Sequence, residues 1–320
     1  MDEAFVTESE FKTLVLDERN CIDCCFPINI PIDVNRYSRI KFEHSCNGLV
    51  LYEVYDVSNY HTIYVVYNPS LKNCRTLPKP PFRKTRVPCV LSFTIAFDPA
   101  KSSYYEVLAL CDTDTSESIY HIEIYSSKTD SWRDAGDPFP FSPPGRLLVS
   151  GMYWNGSVHW IDQWSATLHY FDIECELMKT LAMPTQPYPE RDYSRSIVYF
   201  KECREHIHLM EMRKDDMPRA DIWEMCMDYT GWNVKYNVDL SPLTIVYPSI
   251  LLDRDFSFRR LGLDVLLIEE GEDSSRLILW ILNDKVISFD LENKGFKEMY
   301  DVSPDVYVQG FQYMETLAHA

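Results

Sequence analysis

Apolar and polar residues alternate with a period of two along much of this chain, and turn-forming groups interrupt the alternation again and again. The stretch "SGMYWNGSVHWI" (150–161) shows it most clearly. Met152, Trp154, Val158 and Trp160 fall at even spacing on either side of Asn155-Gly156, with Tyr153, Ser157 and His159 between them. Neighbouring strand residues point to opposite faces, so this spacing predicts strand, turn, strand. Asn-Gly takes the positive φ values of a two-residue type I′ turn, whose twist suits a hairpin. The aromatic cluster is therefore read as hairpin scaffolding rather than as a ligand box.

A related segment, "HSCNGLVLYEVY" (44–55), places Asn47-Gly48 before an alternating run. A second unit recurs five times: "YVVYNPSLKNCRTLP" (64–78), "IEIYSSKTDSWRDAG" (122–136), "LHYFDIECELMKTLAMP" (168–184), "IWEMCMDYTGWNVKY" (222–236) and "KVISFDLENKGFKEM" (285–299). In each, a strand ends in a large residue, a polar turn follows, and another strand begins. The anchors Tyr67, Tyr125, Phe171, Met227 and Phe289 recur about every 46 to 62 residues. Kelch-type repeats run to about 50 residues, so the chain is expected to be all-β, a propeller of about six kelch-like blades of antiparallel strands.

Further strands are predicted at 89–98, 103–111, 206–212, 264–270 and 276–282, and no segment reads as helical. The turn-rich stretches 134–146 and 183–195 read as inter-blade loops, which makes residues 1–320 one domain. Within it, 1–41 hold the first strands and a connector, and 42–317 the repeats. The last stretch, 305–318, is expected to pair with the amino-terminal strands "FKTLVLD" or "CNGLVLYE", closing the propeller and removing its open edges.

Composition narrows the function. Aromatics at 14% favour strands. A net charge of −18 repels phosphate backbones, so no nucleic-acid partner is expected. The basic cluster Arg83, Lys84 and Arg86 reads as a solvated loop. The acidic opening "MDEAF" and the lack of a long apolar run predict neither secretion nor a membrane partner. Ten cysteines in such a chain read as reduced thiols, consistent with a cytoplasmic or nuclear location.

Catalytic motifs are sparse. There is no Gly-x-Ser-x-Gly elbow, no phosphate-binding Gly-x-x-x-x-Gly-Lys and no Gly-x-Gly-x-x-Gly. Cys21, Cys24 and Cys25 with His44 and Cys46 lack the second paired spacing of a zinc module. His206 and His208 share a strand face and read as strand residues. Glu269, Glu270, Glu272 and Asp273 read as a solvated hairpin tip, and the sequon at Asn155 sits in a tight turn that opposes its use. No enzyme activity, metal or cofactor is expected. Loops on a rigid β scaffold are the better candidates for binding. The residues singled out are Trp164 in "DQWSAT", Tyr188, Arg191 and Tyr193 in "PYPERDYS", and Asp215 and Asp216 in "RKDDMPRAD".

The segments "SCNGLVLYE", "YNPSLKNCRTLP", "IAFDPAKSSYYEVLAL", "IEIYSSKTDSWRD", "SGMYWNGSVHWI", "YFDIECELMKTLAMP" and "GFQYMETLA" together resemble, in order, the F-box-associated domain of plant F-box proteins. The resemblance runs from about Phe42 to Leu317. It implies a kelch-like propeller that recruits a target protein to an SCF-type (cullin-RING) ubiquitin ligase. In that family an amino-terminal F-box docks on a Skp-type adaptor, and residues 1–41 contain no segment resembling one. The adaptor and cullin are thus expected partners only of a form carrying an F-box. Two other readings compete: a propeller enzyme of the sugar-oxidising or hydrolytic kind, which needs convergent metal ligands or carboxylates, and a carbohydrate-binding module stacking sugars on aromatics such as Trp164.

Overall fold

The computed structural model describes residues 12–17, 20–27, 37–56, 58, 60–81, 89–112, 119–140, 151–187, 195–213, 218–251, 262–271, 274–282, 284–302, 316, 318 and 320. Twenty-two strands and one short α-helix lie within them. A two-stranded ladder of β1 (Lys12–Asp17) and β2 (Asn20–Pro27) comes first. Five four-stranded antiparallel sheets follow, each a meander in which every strand pairs with the next.

The first sheet is β3 (Tyr37–Cys46), β4 (Leu49–Asp56), β5 (His61–Asn68) and β6 (Asn73–Thr76). The second is β7 (Cys89–Ala96), β8 (Glu106–Asp112), β9 (Ile119–Ser126) and β10 (Ser131–Pro140). The third is β11 (Met152–Trp154), β12 (Ser157–Asp162), β13 (Thr167–Asp172) and β14 (Leu177–Ala182). The fourth is β15 (Arg195–Cys203), β16 (His206–Arg213), β17 (Arg219–Met225) and β18 (Trp232–Asp239). The fifth is β19 (Leu263–Glu270), β20 (Ser275–Ile281), β21 (Lys285–Asp290) and β22 (Phe296–Asp301).

The all-β class and the blade-like meanders agree with the sequence pattern, and the number of blades is corrected from about six to five among the described residues. Length divided by 50 overcounts for two reasons. The first strands form only a two-stranded ladder, and the sheets begin at residues 37, 89, 152, 195 and 263, nearer about 56 residues apart. The five anchors index the sheets correctly: four fall in the third strand of a sheet and Met227 lies two residues past one.

Two compact units share the chain. Residues 1–140 and 313–320 form one, and residues 141–312 the other. In the first, β3 and β4 pack on β7, and Leu49, Leu51, Val66, Phe93, Ile95 and Val107 fill the space between the two sheets. In the second, β15 packs on both β11 and β19. Trp154, Leu168, Phe200 and Leu209 form one core there, and Met210, Ile222, Leu277 and Phe289 belong to another. Tryptophans tie successive sheets together within each unit. The indole N–H of Trp132 donates to the Pro78 carbonyl (2.7 Å), and that of Trp232 to the Ala182 carbonyl (3.1 Å).

The predicted hairpin turn is present, with φ of 47° at Asn155 and 75° at Gly156, and Asn47-Gly48 repeats it at 45° and 86°. A Cβ on Gly156 would meet nothing within 4 Å, so the cost of a larger residue is conformational rather than steric. Gly156→Val is expected to destabilise by roughly 1–2 kcal/mol, read by denaturant melting, because a β-branched residue is forced to positive φ. The fourth sheet turns between β15 and β16 through Arg204-Glu205 at φ 47° and 64°. There two ordinary side chains occupy the left-handed region. Glu205→Gly should therefore raise stability by about 0.5–1 kcal/mol, and a lower melting temperature would contradict this.

Two further expectations are corrected. Residues 134–140, read as loop, belong to strand β10, whose register with β9 shifts between Ala135 and Phe139. An edge strand with an irregular ladder accommodates Pro138 and Pro140, which offer no N–H. A helix, α1 (Ser241–Val246), and a 3-10 turn (Pro248–Leu251) interrupt the β pattern after the fourth sheet. The stretch 305–318, expected to close the propeller, lies outside the described residues except for 316 and 318. At those two positions the Asn68 side chain holds the tail, its Nδ2 donating to the carbonyls of Thr316 (3.0 Å) and Ala318 (2.6 Å).

Candidate functional site

The aromatic group around Asn155-Gly156 is filled by the protein itself. His159 is fully buried, its ring stacked within 5.6 Å of Tyr170 and 5.8 Å of Tyr229. Its Nδ1 lies 3.2 Å from the Met152 carbonyl and its Nε2 3.0 Å from the Tyr229 hydroxyl. A carbonyl only accepts, so Nδ1 carries the proton and Nε2 accepts from Tyr229. Burial lowers the His159 pKa to about 4, keeping the ring neutral at pH 7. Trp154 donates its indole N–H to the Glu205 carbonyl (2.5 Å). These side chains join the third and fourth sheets.

A cleft of about 490 Å³ opens beside the fourth sheet within the 141–312 unit. Arg213 at the end of β16, Arg219 and Asp221 on β17, Asn237 and Asp239 on β18, and Lys294 from the β21–β22 turn line it, with Trp223 and Gln186. Asn237 Nδ2 donates to Asp221 (2.7 Å). The Asp239 carboxyl sits below its usual pKa, first because the Ser241 hydroxyl and N–H donate to it and further because of Lys294 and Arg219. Cations, carboxylates, amides and an indole alternate around the cleft. Such a lining can hydrogen-bond an extended peptide and pair with charges of either sign.

The chain passes from Asp239 directly into α1. Leu243, Tyr247 and Ile250 are buried beneath it, whereas Ile245, Val246 and Leu251 face solvent, Ile245 being 79% exposed. This apolar patch was not anticipated from the sequence. Its signal was present in "DLSPLTIVYPSIL": an acidic residue, serine and proline open a short run, as at many helix starts.

Deeper in the same unit lies a charged cluster. His208 is fully buried, and its Nε2 is 3.3 Å from Glu224 and 3.4 Å from Glu270. The Lys235 ammonium bridges the two carboxylates, 2.8 Å from Glu270 and in contact with Glu224. Burial pushes the His208 pKa down, opposed by the two carboxylates. Glu224 is raised by burial and lowered further by Lys235, for a net decrease. Glu270, read as part of a solvated hairpin tip, is thus corrected to a largely buried member of a clamp between the fourth and fifth sheets. It faces inward because the strand β19 extends through it. Lys235→Met should destabilise the protein by about 2–3 kcal/mol in denaturant melts, since it leaves two carboxylates facing each other with little solvent.

Trp164 lies in the turn between β12 and β13, half-buried, its backbone N–H donating to Asp162 (3.0 Å). It does not line the cleft. Tyr188, Arg191, Tyr193, Asp215 and Asp216 lie outside the described residues. In sequence, however, Tyr188 follows the cleft residue Gln186 by two positions, and Asp215 follows Arg213 by two.

The sequence matches the family described as F-box associated beta propeller domain over residues 12–317. An F-box protein of Arabidopsis thaliana is 27% identical over 299 residues, covering 86% of this chain and 69% of the relative. An F-box/kelch-repeat protein of the same plant is 28% identical over 152 residues, or 45% of this chain and 36% of the relative. Among solved structures, the beta-propeller domain of the Trilobed protease from Pyrococcus furiosus overlaps 83% of this chain and 86% of its own length, at 12% identity and a TM-score of 0.39.

Proposed function

The chain belongs to the family of F-box associated beta propeller domains, and from this premise we propose that it is the target-recognition module of an SCF-type (cullin-RING) ubiquitin ligase. The observation that carries this reading is the match over residues 12–317, which takes in all five four-stranded sheets. The domain binds its target and performs no chemistry itself. Bond-making belongs to the ligase, and a Skp-type adaptor and cullin join only through an F-box on the same polypeptide. Such a ligase works in the cytoplasm or nucleus, and the domain acts there.

Recognition is assigned to the cleft beside the fourth sheet and the apolar patch of Ile245, Val246 and Leu251. Interfaces gain most of their affinity from a few aromatic, arginine and apolar groups surrounded by polar contacts, and these two features supply both kinds. The loop residues Tyr188, Arg191, Tyr193, Asp215 and Asp216 adjoin the cleft in sequence and are proposed to extend the same face. Trp164 is proposed as a separate, weaker contact.

The test uses the target captured by the intact chain and measures its affinity for variants by calorimetry. Arg213→Glu and Ile245→Asp should each weaken binding at least about tenfold while leaving the melting temperature within about 2 °C, because both alter surface groups. Unchanged affinity for both variants would remove this face from the reading.

A further inference from the structure

A different arrangement of charge occurs in the unit of residues 1–140. His121 and Glu123, two positions apart on β9, project from one face, and Asp134 on β10 is the direct ladder partner of Glu123. His121 Nε2 and one oxygen of each carboxylate lie within 4.8 Å of one another, and His121 Nε2 is 3.6 Å from Glu123 Oε1. Glu123 is fully buried, yet neither of its oxygens has a hydrogen-bond partner. Its neighbour on β8 is Ala109, and the same face continues into the apolar wall of Phe93, Val107 and Tyr125. A carboxylate so placed is among the costliest groups a core can hold unless a cation or hydrogen bonds meet it.

The comparable cluster of His208, Glu224 and Glu270 has Lys235 for its cation. No lysine or arginine is paired with Glu123 among the described residues, and the imidazole approaches only one of its oxygens. We propose that His121, Glu123 and Asp134 bind a divalent transition-metal ion, with zinc the best match. Imidazole nitrogen and carboxylate oxygen are both ordinary zinc ligands, with bonds of about 2.0–2.2 Å. Tetrahedral donors then stand about 3.4 Å apart, so the three groups need to draw in only slightly. His121 and Asp134 reach solvent, which gives the ion access and leaves room for water as the fourth ligand. The bound ion would fasten β10 to β9 one residue before the ladder becomes irregular at Ala135. The role is structural, and it does not depend on the ligase reading.

The test is a titration of the chelator-treated full chain with ZnCl2, followed by calorimetry and thermal melting. The wild type should take up zinc and melt higher with it. Glu123→Gln, which preserves shape, should bind one equivalent fewer and lose most of that thermal gain. Should that variant fail to fold, the partly exposed His121→Asn serves in its place with the same expected loss. Glu224→Gln should keep the full uptake. Failure of the wild type to bind zinc at about 100 µM, far above the dissociation constant of a structural zinc site, would overturn the proposal. So would equal uptake by Glu123→Gln or His121→Asn, or a loss that follows Glu224→Gln instead.

Discussion

Lowering the pH from 7 to 4 is expected to destabilise the protein by about 3 kcal/mol through His159 alone. In the unfolded chain this imidazole takes up a proton near its ordinary pKa of 6.5, whereas in the fold burial holds it neutral down to about 4. Between those two values the unfolded state binds more protons than the folded one, so unfolding becomes easier as the pH falls. Above pH 6.5 the contribution is fully present, and below about 4 it is fully lost. His159→Gln isolates the effect, because every other titrating group is common to both proteins. Loss of the imidazole's stacking contacts with Tyr170 and Tyr229 should make the variant about 1–2 kcal/mol less stable at pH 7. At pH 4 the variant should be the more stable of the two. A gap in denaturant-melting free energy that stays constant between pH 7 and 4 would contradict this account of the box.

Asn68→Asp is expected to cost about 3 kcal/mol or more. The side chain is fully buried, and all of its hydrogen-bonding capacity is used. Its Oδ1 accepts from the N–H groups of Ser70 (2.9 Å) and Leu71 (3.2 Å), which shapes the turn after β5. Its Nδ2 donates to the carbonyls of Thr316 and Ala318. Aspartate preserves the first pair but turns a negative oxygen towards two carbonyls that then have no donor. Removing residues 316–320 should destabilise as well, and combining the truncation with Asn68→Asp should add far less than the sum of the two. Additive losses would mean that Asn68 acts on the turn alone.

Local signals were the easiest to read from the sequence. Asn47-Gly48 and Asn155-Gly156 announce their hairpins because only certain residues adopt positive φ readily. The anchors Tyr67, Tyr125, Phe171 and Phe289 mark one sheet each because a buried third strand ends in a large side chain before its turn, and Met227 marks the fourth from just beyond its strand. Arg204-Glu205 makes the same turn without the usual residues, so no local rule reveals it. The helix at Ser241 was missed for a related reason: a six-residue run is too short to establish a helical period against a β background. Glu270 reads as solvated by its neighbours in "EEGED", but Lys235 and His208, decades of residues away, bring it inward. The cleft is the least legible feature of all. Its lining runs from Pro184 to Lys294 and comes together only when the third, fourth and fifth sheets are formed.

The most direct test of the central claim is a ubiquitination measurement in plant cells. The chain is joined behind an F-box, the proteasome is inhibited, and ubiquitinated proteins are compared by mass spectrometry with those from the F-box alone and from the Arg213→Glu, Ile245→Asp double variant. The account predicts at least one protein whose ubiquitination requires the intact domain and is lost with the double variant. An identical set of ubiquitinated proteins in all three samples would contradict it.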